Sequence, residues 1–262
     1  MEYGICNISS IPIRKDPAES SEMRTEILFG EHFKIIELIE RWAKIKLAFD
    51  SYEGWIDRKI IQALTESEFE SINNSSSFVT NQQINKVQNL KNNIDFLIGG
   101  GSSLPNFDAK TKSFNFGEEK YKLVSEYAQT DKSDLRNGII DFASKYINCS
   151  YLWGGRNPFG IDCSGLSQIS YKTFGINILR DASQQVTHGK IVEFIDDAKP
   201  ADLAFFDNAD GVITHVGLIF DKNHIIHASG KVRIDKIDHQ GIYNEERKIY
   251  THKLRIIKNL ID

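Results

Sequence analysis

The stretch Tyr151-Leu152-Trp153-Gly154-Gly155, followed by Asp162-Cys163-Ser164-Gly165-Leu166, decides how this chain is read. A Gly-rich turn gives way there to an apolar-periodic segment, which puts Cys163 at or near a helix N-terminus. Orphan backbone N–H groups and the helix dipole at such a place favour thiolate over thiol, the state a cysteine nucleophile needs. Taken alone, a cysteine after an aspartate is more often a packed, inert small residue than a nucleophile. A nucleophile also requires a base, an orienter for that base and contacts to a substrate.

Working outward, Leu166, Ile169, Ser170 and Phe174 fall on one helical face, and Gly175 stands where a helix stop belongs. Upstream, Leu135, Ile139, Phe142-Ala143 and Tyr146 recur at helical spacing behind a cap at Ser133 or Asp134. Strand-like runs come next: Asp202 to Phe206, Ile213 to Phe220, and His224 to Ala228. Helices first and an antiparallel sheet afterwards predict an α+β domain. His215 lies mid-strand in Ile213-Thr214-His215-Val216-Gly217-Leu218, and His227 lies in the next strand. An odd number of unpaired residues around Asp221-Lys222-Asn223 would turn both imidazoles to one sheet face, and an even number would separate them. Gly217 leaves room beside His215. Each histidine alone also fits a hydrogen-bonded structural role. Cys163, His215, His227 and an aspartate could ligate zinc, but no Cys-x-x-Cys or His-x-x-x-His pair fixes a metal geometry. No metal and no cofactor is therefore expected. Cys6 and Cys149 carry no chemical context and read as structural.

The chain has 262 residues, 40% apolar and 26% charged, ordinary for a soluble globular protein with one large domain or two to three small ones. Its net charge of −4 argues against a nucleic-acid or anionic-membrane partner engaged through bulk electrostatics. Three cysteines make no disulfide framework and suit a reducing compartment. Met1 to Arg24 lacks a basic start followed by an apolar core, and no apolar run approaches the roughly 20 residues of a membrane span. A cytoplasmic protein is expected, although removal of a leader would leave the same sequence. Oligomeric state is not legible.

Near the N-terminus, Ala43, Ile45, Leu47 and Phe49 alternate with Lys44, Lys46 and Ala48, the pattern of a half-buried strand. A turn at Asp50-Ser51-Tyr52-Glu53-Gly54 leads into a second run at Trp55-Ile56. Residues 1–63 thus predict a small barrel. Thr65 to Asn93 is polar, either a linker or a weakly patterned part of a second barrel over 64–130. Residues 131–262 form the third, chemical domain.

The motifs Tyr151-x-Trp153-Gly154-Gly155, Asp162-Cys163-Ser164-Gly165-Leu166, Arg180-Asp181-Ala182-Ser183-Gln184-Gln185, Pro200-Ala201-Asp202-Leu203, Thr214-His215-Val216-Gly217 and His227-Ala228-Ser229 resemble the NlpC family of cell-wall cysteine peptidases. The resemblance covers about 131–262, with every motif in order. It implies a papain-like α+β domain that hydrolyses the bond between γ-D-glutamate and a diamino acid in peptidoglycan peptides. On that reading Cys163 attacks, His215 is the base, His227 orients it, and the Tyr151 hydroxyl helps hold the oxyanion. The resemblance adds Ser164 and Asp181 as substrate contacts. Arg180 remains open, with a structural ion pair as one role. Ser21 to Glu31 and Tyr52-Glu53-Gly54-Trp55 are similar to the first SH3-like domain of the dipeptidyl-peptidase VI group. By position, Glu22, Tyr52 and Asp162 would hold the free amine of an N-terminal L-alanine, making a small peptidoglycan-derived peptide the partner. Without the resemblance, Glu22 is a solvated acid and Tyr52 a turn aromatic. Two other functions stay open: a lytic hydrolase of intact wall, and a wall-binding protein without activity.

Overall fold

The computed structural model describes residues 2–75, 78–126 and 130–261. The chain folds as two compact units, 1–129 and 130–262.

In the first unit, β1 (Tyr3–Ile5), β2 (Ser10–Arg14), β3 (Met23–Leu28), β4 (His32–Leu38), β5 (Trp42–Leu47), β6 (Glu53–Asp57) and β7 (Gln62–Leu64) form one antiparallel sheet, ordered β3-β2-β6-β5-β4-β1-β7. Ala43, Ile45 and Leu47, the alternation read from sequence, point into a core with Cys6, Ile11, Ile13, Ile27, Phe33 and Ile56. After α1 (Glu66–Asn74) and β8 (Phe78–Val79), a second sheet runs β10-β9-β13-β12. Its strands are β9 (Ile84–Asn89), β10 (Ile94–Gly99), β12 (Ser113–Phe116) and β13 (Glu119–Leu123), while β11 (Ser103–Leu104) pairs with β8. The two sheets share a core. Phe29, just after β3, has its ring 5.4–5.8 Å from those of Phe96, Phe114, Phe116 and Tyr121.

The polar stretch after Thr65 is more ordered than its composition suggests. Thr65 accepts from the Glu68 N–H while the Glu68 carboxylate accepts from the Thr65 N–H, a reciprocal capping box that starts α1. Only Phe69 and Ile72 of that helix are buried, so its apolar signal is weak.

The second unit opens with α2 (Leu135–Ser144), capped by Asp134 through the Asn137 N–H. A short hairpin, β14 (Arg156–Asn157) and β15 (Gly160–Ile161), leads into α3 (Cys163–Lys172), whose residues are all buried. The stop occurs at Gly175, with φ of +81°, where the Gly175 and Ile176 N–H groups return to Lys172 and Tyr171 carbonyls. After α4 (Ala182–Gln185) and β16 (Lys190–Val192) come β17 (Leu203–Asp207), β18 (Ile213–Asp221), β19 (His224–Ser229), β20 (Lys231–Asp238), β21 (Gly241–Asn244) and β22 (Ile249–Asn259). β22 pairs with both β17 and β21, closing β22-β17-β18-β19-β20-β21 into a six-stranded barrel with β16 on its outer side. The first three barrel strands match the sequence reading. The later ones, which close the barrel, extend beyond it.

α3 packs against β18 and β19. Arg136 of α2 reaches the barrel entrance, donating to the Pro200 carbonyl and to Asp202, each at 2.8 Å. The Tyr171 hydroxyl of α3 donates to the Ala201 carbonyl. The Pro200-Ala201-Asp202 motif is thus the clamp that holds both helices on the sheet.

Candidate active site

Cys163 is the first residue of α3, and Asp162 is its cap. The Asp162 carboxylate accepts from the Gly165 N–H at 2.6 Å and from the Gly154 N–H at 2.8 Å. Arg180 donates to both its oxygens, at 3.0 and 2.7 Å, and also to the Ser164 hydroxyl at 2.8 Å. The glycines of the motif allow this convergence. Gly154 has φ of +78°, and a Cβ on Gly165 would lie 2.4 Å from the Gly155 carbonyl oxygen. The turn therefore sits directly on the first turn of the helix, and Cys163 is only 7% exposed.

Burial pushes the Cys163 thiol up to about 12, with the Asp162 carboxylate adding to the rise. The Val216 N–H, Arg180 and the Ser164 N–H pull the other way. This differs from the sequence expectation of a thiolate. A helix N-terminus contributes a partial charge, whereas removing a thiolate from water costs more than that charge returns.

The histidines come together as the strand reading requires, by an unforeseen route. β18 and β19 are joined by the two-residue turn Lys222-Asn223, an even number that would separate them. The register slips between Ile219 and Asp221, leaving Phe220 as an extra unpaired residue. That bulge restores the parity: His227 pairs opposite Gly217, and His215 lies two residues further along the same face. His215 Nε2 is 2.8 Å from His227 Nδ1, with the rings almost perpendicular at 84°. A Cβ on Gly217 would fall 2.9 Å from the His227 Cβ, so the glycine makes the approach possible.

Three further residues, outside the sequence reading, complete the cluster. His252 of β22 stacks on His215 with centroids 4.2 Å apart and planes 24° apart. Asp235 of β20 lies 3.1 Å from His227 Nε2, and Arg233 pairs with Asp235 at 2.8 Å. A signal for the last two existed. Val232-Arg233-Ile234-Asp235 alternates as a strand does, which places Arg233 and Asp235 on one face.

Burial, then the neighbouring His227 and His252, holds His215 well below its ordinary 6.5. Burial likewise lowers His227, opposed by Asp235, and lowers His252 to about 4. These directions favour a neutral thiol and neutral imidazoles at rest. No group of three or more His, Cys, Asp or Glu residues suited to holding a metal occurs among the described residues.

The other expected residues divide between the units. Tyr151 is half-buried, and its hydroxyl is raised by burial and then by the Cys163 and Asp162 charges, so it keeps its proton. Ser164 is buried against Arg180 and Asp162, and Asp181 is half-buried as the cap of α4. In the first unit, Glu22 is exposed and pairs with Arg24 at 3.2 Å. Tyr52 is half-buried against the core of the first sheet. Cys6 is fully buried and donates to the Ile8 carbonyl, and burial raises its thiol far above the ordinary value. Arg180 is the buried ion-pair partner of Asp162.

Residues 148–251 match the NlpC/P60 family, and residues 13–61 match the bacterial dipeptidyl-peptidase Sh3 domain. The chain is 30% identical over 251 residues to dipeptidyl-peptidase 6 of Lysinibacillus sphaericus, covering 86% of this chain and 88% of that one. It is 35% identical over 115 residues to the gamma-D-glutamyl-L-lysine dipeptidyl-peptidase of Bacillus subtilis, covering 43% of this chain and 38% of that one. Among solved structures, an NlpC/P60 family protein from Bacillus cereus superposes with a TM-score of 0.82 at 18% identity, over 99% of this chain and 100% of that one, a likeness of fold. With the Cys163 helix, the paired histidines and the barrel all in place, the chain belongs to the NlpC/P60 family of cysteine peptidases.

Proposed function

We propose that the protein hydrolyses the γ-D-glutamyl–diamino acid bond of peptidoglycan-derived peptides that carry a free N-terminal L-alanine. The buried 2.8 Å contact between His215 and His227, on the strands against which the Cys163 helix packs, carries the chemical part of this reading. The dipeptidyl-peptidase activities of the Lysinibacillus and Bacillus relatives support the substrate class.

Because thiol and imidazole both rest neutral, attack is general-base assisted. His215 takes the Cys163 proton as sulfur bonds to the γ-glutamyl carbonyl carbon. The oxyanion that forms is met by the Cys163 N–H, which as the first helical N–H has no acceptor within its own helix, and by the Tyr151 hydroxyl. His227 orients His215, whose imidazolium then gives its proton to the departing amine of the diamino acid. Water, deprotonated by His215, releases the acyl group from sulfur. Ser164 and Asp181 line the acyl side. Recognition of the free amine falls to Glu22 and Tyr52, an acid–phenol pair suited to ammonium. The Asp162 carboxylate, taken up by Arg180 and backbone N–H groups, holds the nucleophile's turn instead. Glu22 also pairs with Arg24 in an exposed ion pair, worth about 0–1 kcal/mol. The site of action is the cytoplasm, where such peptides would be recycled.

Incubation with free L-Ala-γ-D-Glu-diaminopimelate, with its N-acetylated form and with intact sacculi tests the proposal. L-Ala-γ-D-Glu should appear from the free peptide alone, and Cys163→Ala should abolish it while keeping the fold. Solubilised sacculi would replace the recycling reading by a lytic one. Binding without products would leave a wall-binding protein.

A further inference from the structure

The hydrogen-bonded chain that begins at His215 does not end at His227. His227 Nε2 meets Asp235 Oδ2 at 3.1 Å, and Asp235 is in turn held by Arg233, whose Nη2 donates to Oδ1 at 2.8 Å. His215, His227 and Asp235 are 6%, 1% and 8% exposed. Water has little access to exchange with any of them.

We infer that Asp235 is a positioning residue that sets, through His227, which nitrogen of His215 is basic. Hydrogen-bonding capacity alone leads there. Burial opposes ionisation of Asp235, but its bonds to His227 and Arg233 outweigh that and hold the carboxyl below its ordinary value, and an ionised carboxylate only accepts. His227 Nε2 must therefore carry the proton of that neutral ring. His227 Nδ1 is then a lone pair, and at 2.8 Å from it His215 Nε2 must be the donor. A neutral imidazole carries a single N–H proton, so His215 Nδ1 is left unprotonated and basic. A single anion two rings away thus selects the tautomer able to accept the Cys163 proton. The same anion stabilises the imidazolium that forms during attack. Arg233 opposes part of that effect while fixing the carboxylate in place.

The groups facing this chain are His252 of β22 against both rings and Arg233 of β20, and α3, which begins at Cys163, packs on β18 and β19. Glu246 lies beyond Arg233 at 3.8 Å. The inference rests on the cysteine-peptidase chemistry, not on the particular peptide.

The test uses Asp235→Asn and Asp235→Ala in the full chain, with three readouts: pH-dependent turnover, alkylation of Cys163 by iodoacetamide, and NMR of the imidazole nitrogens. Asparagine can still accept from His227 Nε2–H but lacks the charge. It should lower kcat about tenfold or more with KM little changed, and move the acid limb of kcat/KM to lower pH. Alkylation should slow in parallel. Alanine removes the acceptor, so turnover should fall by about a hundredfold and His215 should show mixed tautomers. Wild-type rates in Asp235→Asn would overturn the inference. So would a loss that follows only the folded fraction while the acid limb and the His215 tautomer stay as in wild type. Should the wild-type protein turn over no peptide, the proposed substrate falls, while alkylation and NMR still decide the role of Asp235.

Discussion

Two aspartate–arginine pairs flank the reacting centre, and they do different things. Asp162–Arg180 lies at the start of α3, with both side chains almost fully buried. Every face of that carboxylate is taken, by two backbone N–H groups, the Ser164 hydroxyl and both arms of the guanidinium. Asp235–Arg233 lies on β20, its arginine side chain 20% exposed, and the carboxylate has one oxygen to offer His227. The same ion pair acts as a scaffold where its acceptors are saturated by backbone and as a bias on catalysis where one acceptor meets a titratable ring.

The largest effect expected from breaking this comparison is on stability. Arg180→Ala leaves a buried carboxylate uncompensated and should cost about 3–5 kcal/mol, read by urea denaturation. Arg233→Ala should cost less, about 1–3 kcal/mol, because the Arg233 side chain is 20% exposed and Asp235 keeps its bond to His227. Equal losses would dissolve the distinction. Acid sharpens the contrast next. His215, His227 and His252 all have folded pKa values below 6.5, so the unfolded chain binds more protons as pH falls beneath that value. Stability should therefore be fully present above pH 6.5 and decline below it. The slope is up to about 1.4 kcal/mol per pH unit for each imidazole. A melting temperature flat from pH 6.5 down to about 4 would contradict their burial as neutral rings.

Smaller effects separate the members of the cluster. Arg233 depresses His227, so Arg233→Ala should move the acid limb of kcat/KM to higher pH, the opposite sign to Asp235→Asn. Least of all, His252→Phe should keep the stack on His215 and nudge that limb upward, because His252 depresses His215. His252→Ala, which also removes the stacked ring, should lower kcat by severalfold at unchanged pH optimum, measured with the same peptide. An equal loss in the Phe and Ala variants would show that the imidazole, not its ring face, matters.

Much of the catalytic unit is legible because its signals are local. The Asp134 cap, the Gly175 stop and the strand runs of β17 to β19 each need only a window of a few residues. The chain from Thr65 to Asn93 is less legible through a different cause. Its helix buries two side chains, so periodicity is faint, although Thr65-x-x-Glu68 spells out its cap. β20 to β22 carry fair strand patterns, but their role as the closing half of a barrel depends on pairing β22 with β17, far apart in the chain.

By itself, then, the sequence determines that a cysteine opens a helix after a glycine turn, that two histidines occupy successive strands, and that these motifs are those of one peptidase family. Whether the histidines meet was decided only by the tertiary structure. One bulged residue, Phe220, reverses the parity of an otherwise wrong turn. The resting protonation was decided there too, since desolvation depends on everything packed around Cys163 and His215 and overrides the local helix terminus. The link to Asp235 is of the same kind. Register and burial are properties of the assembled barrel, and no stretch of sequence contains them.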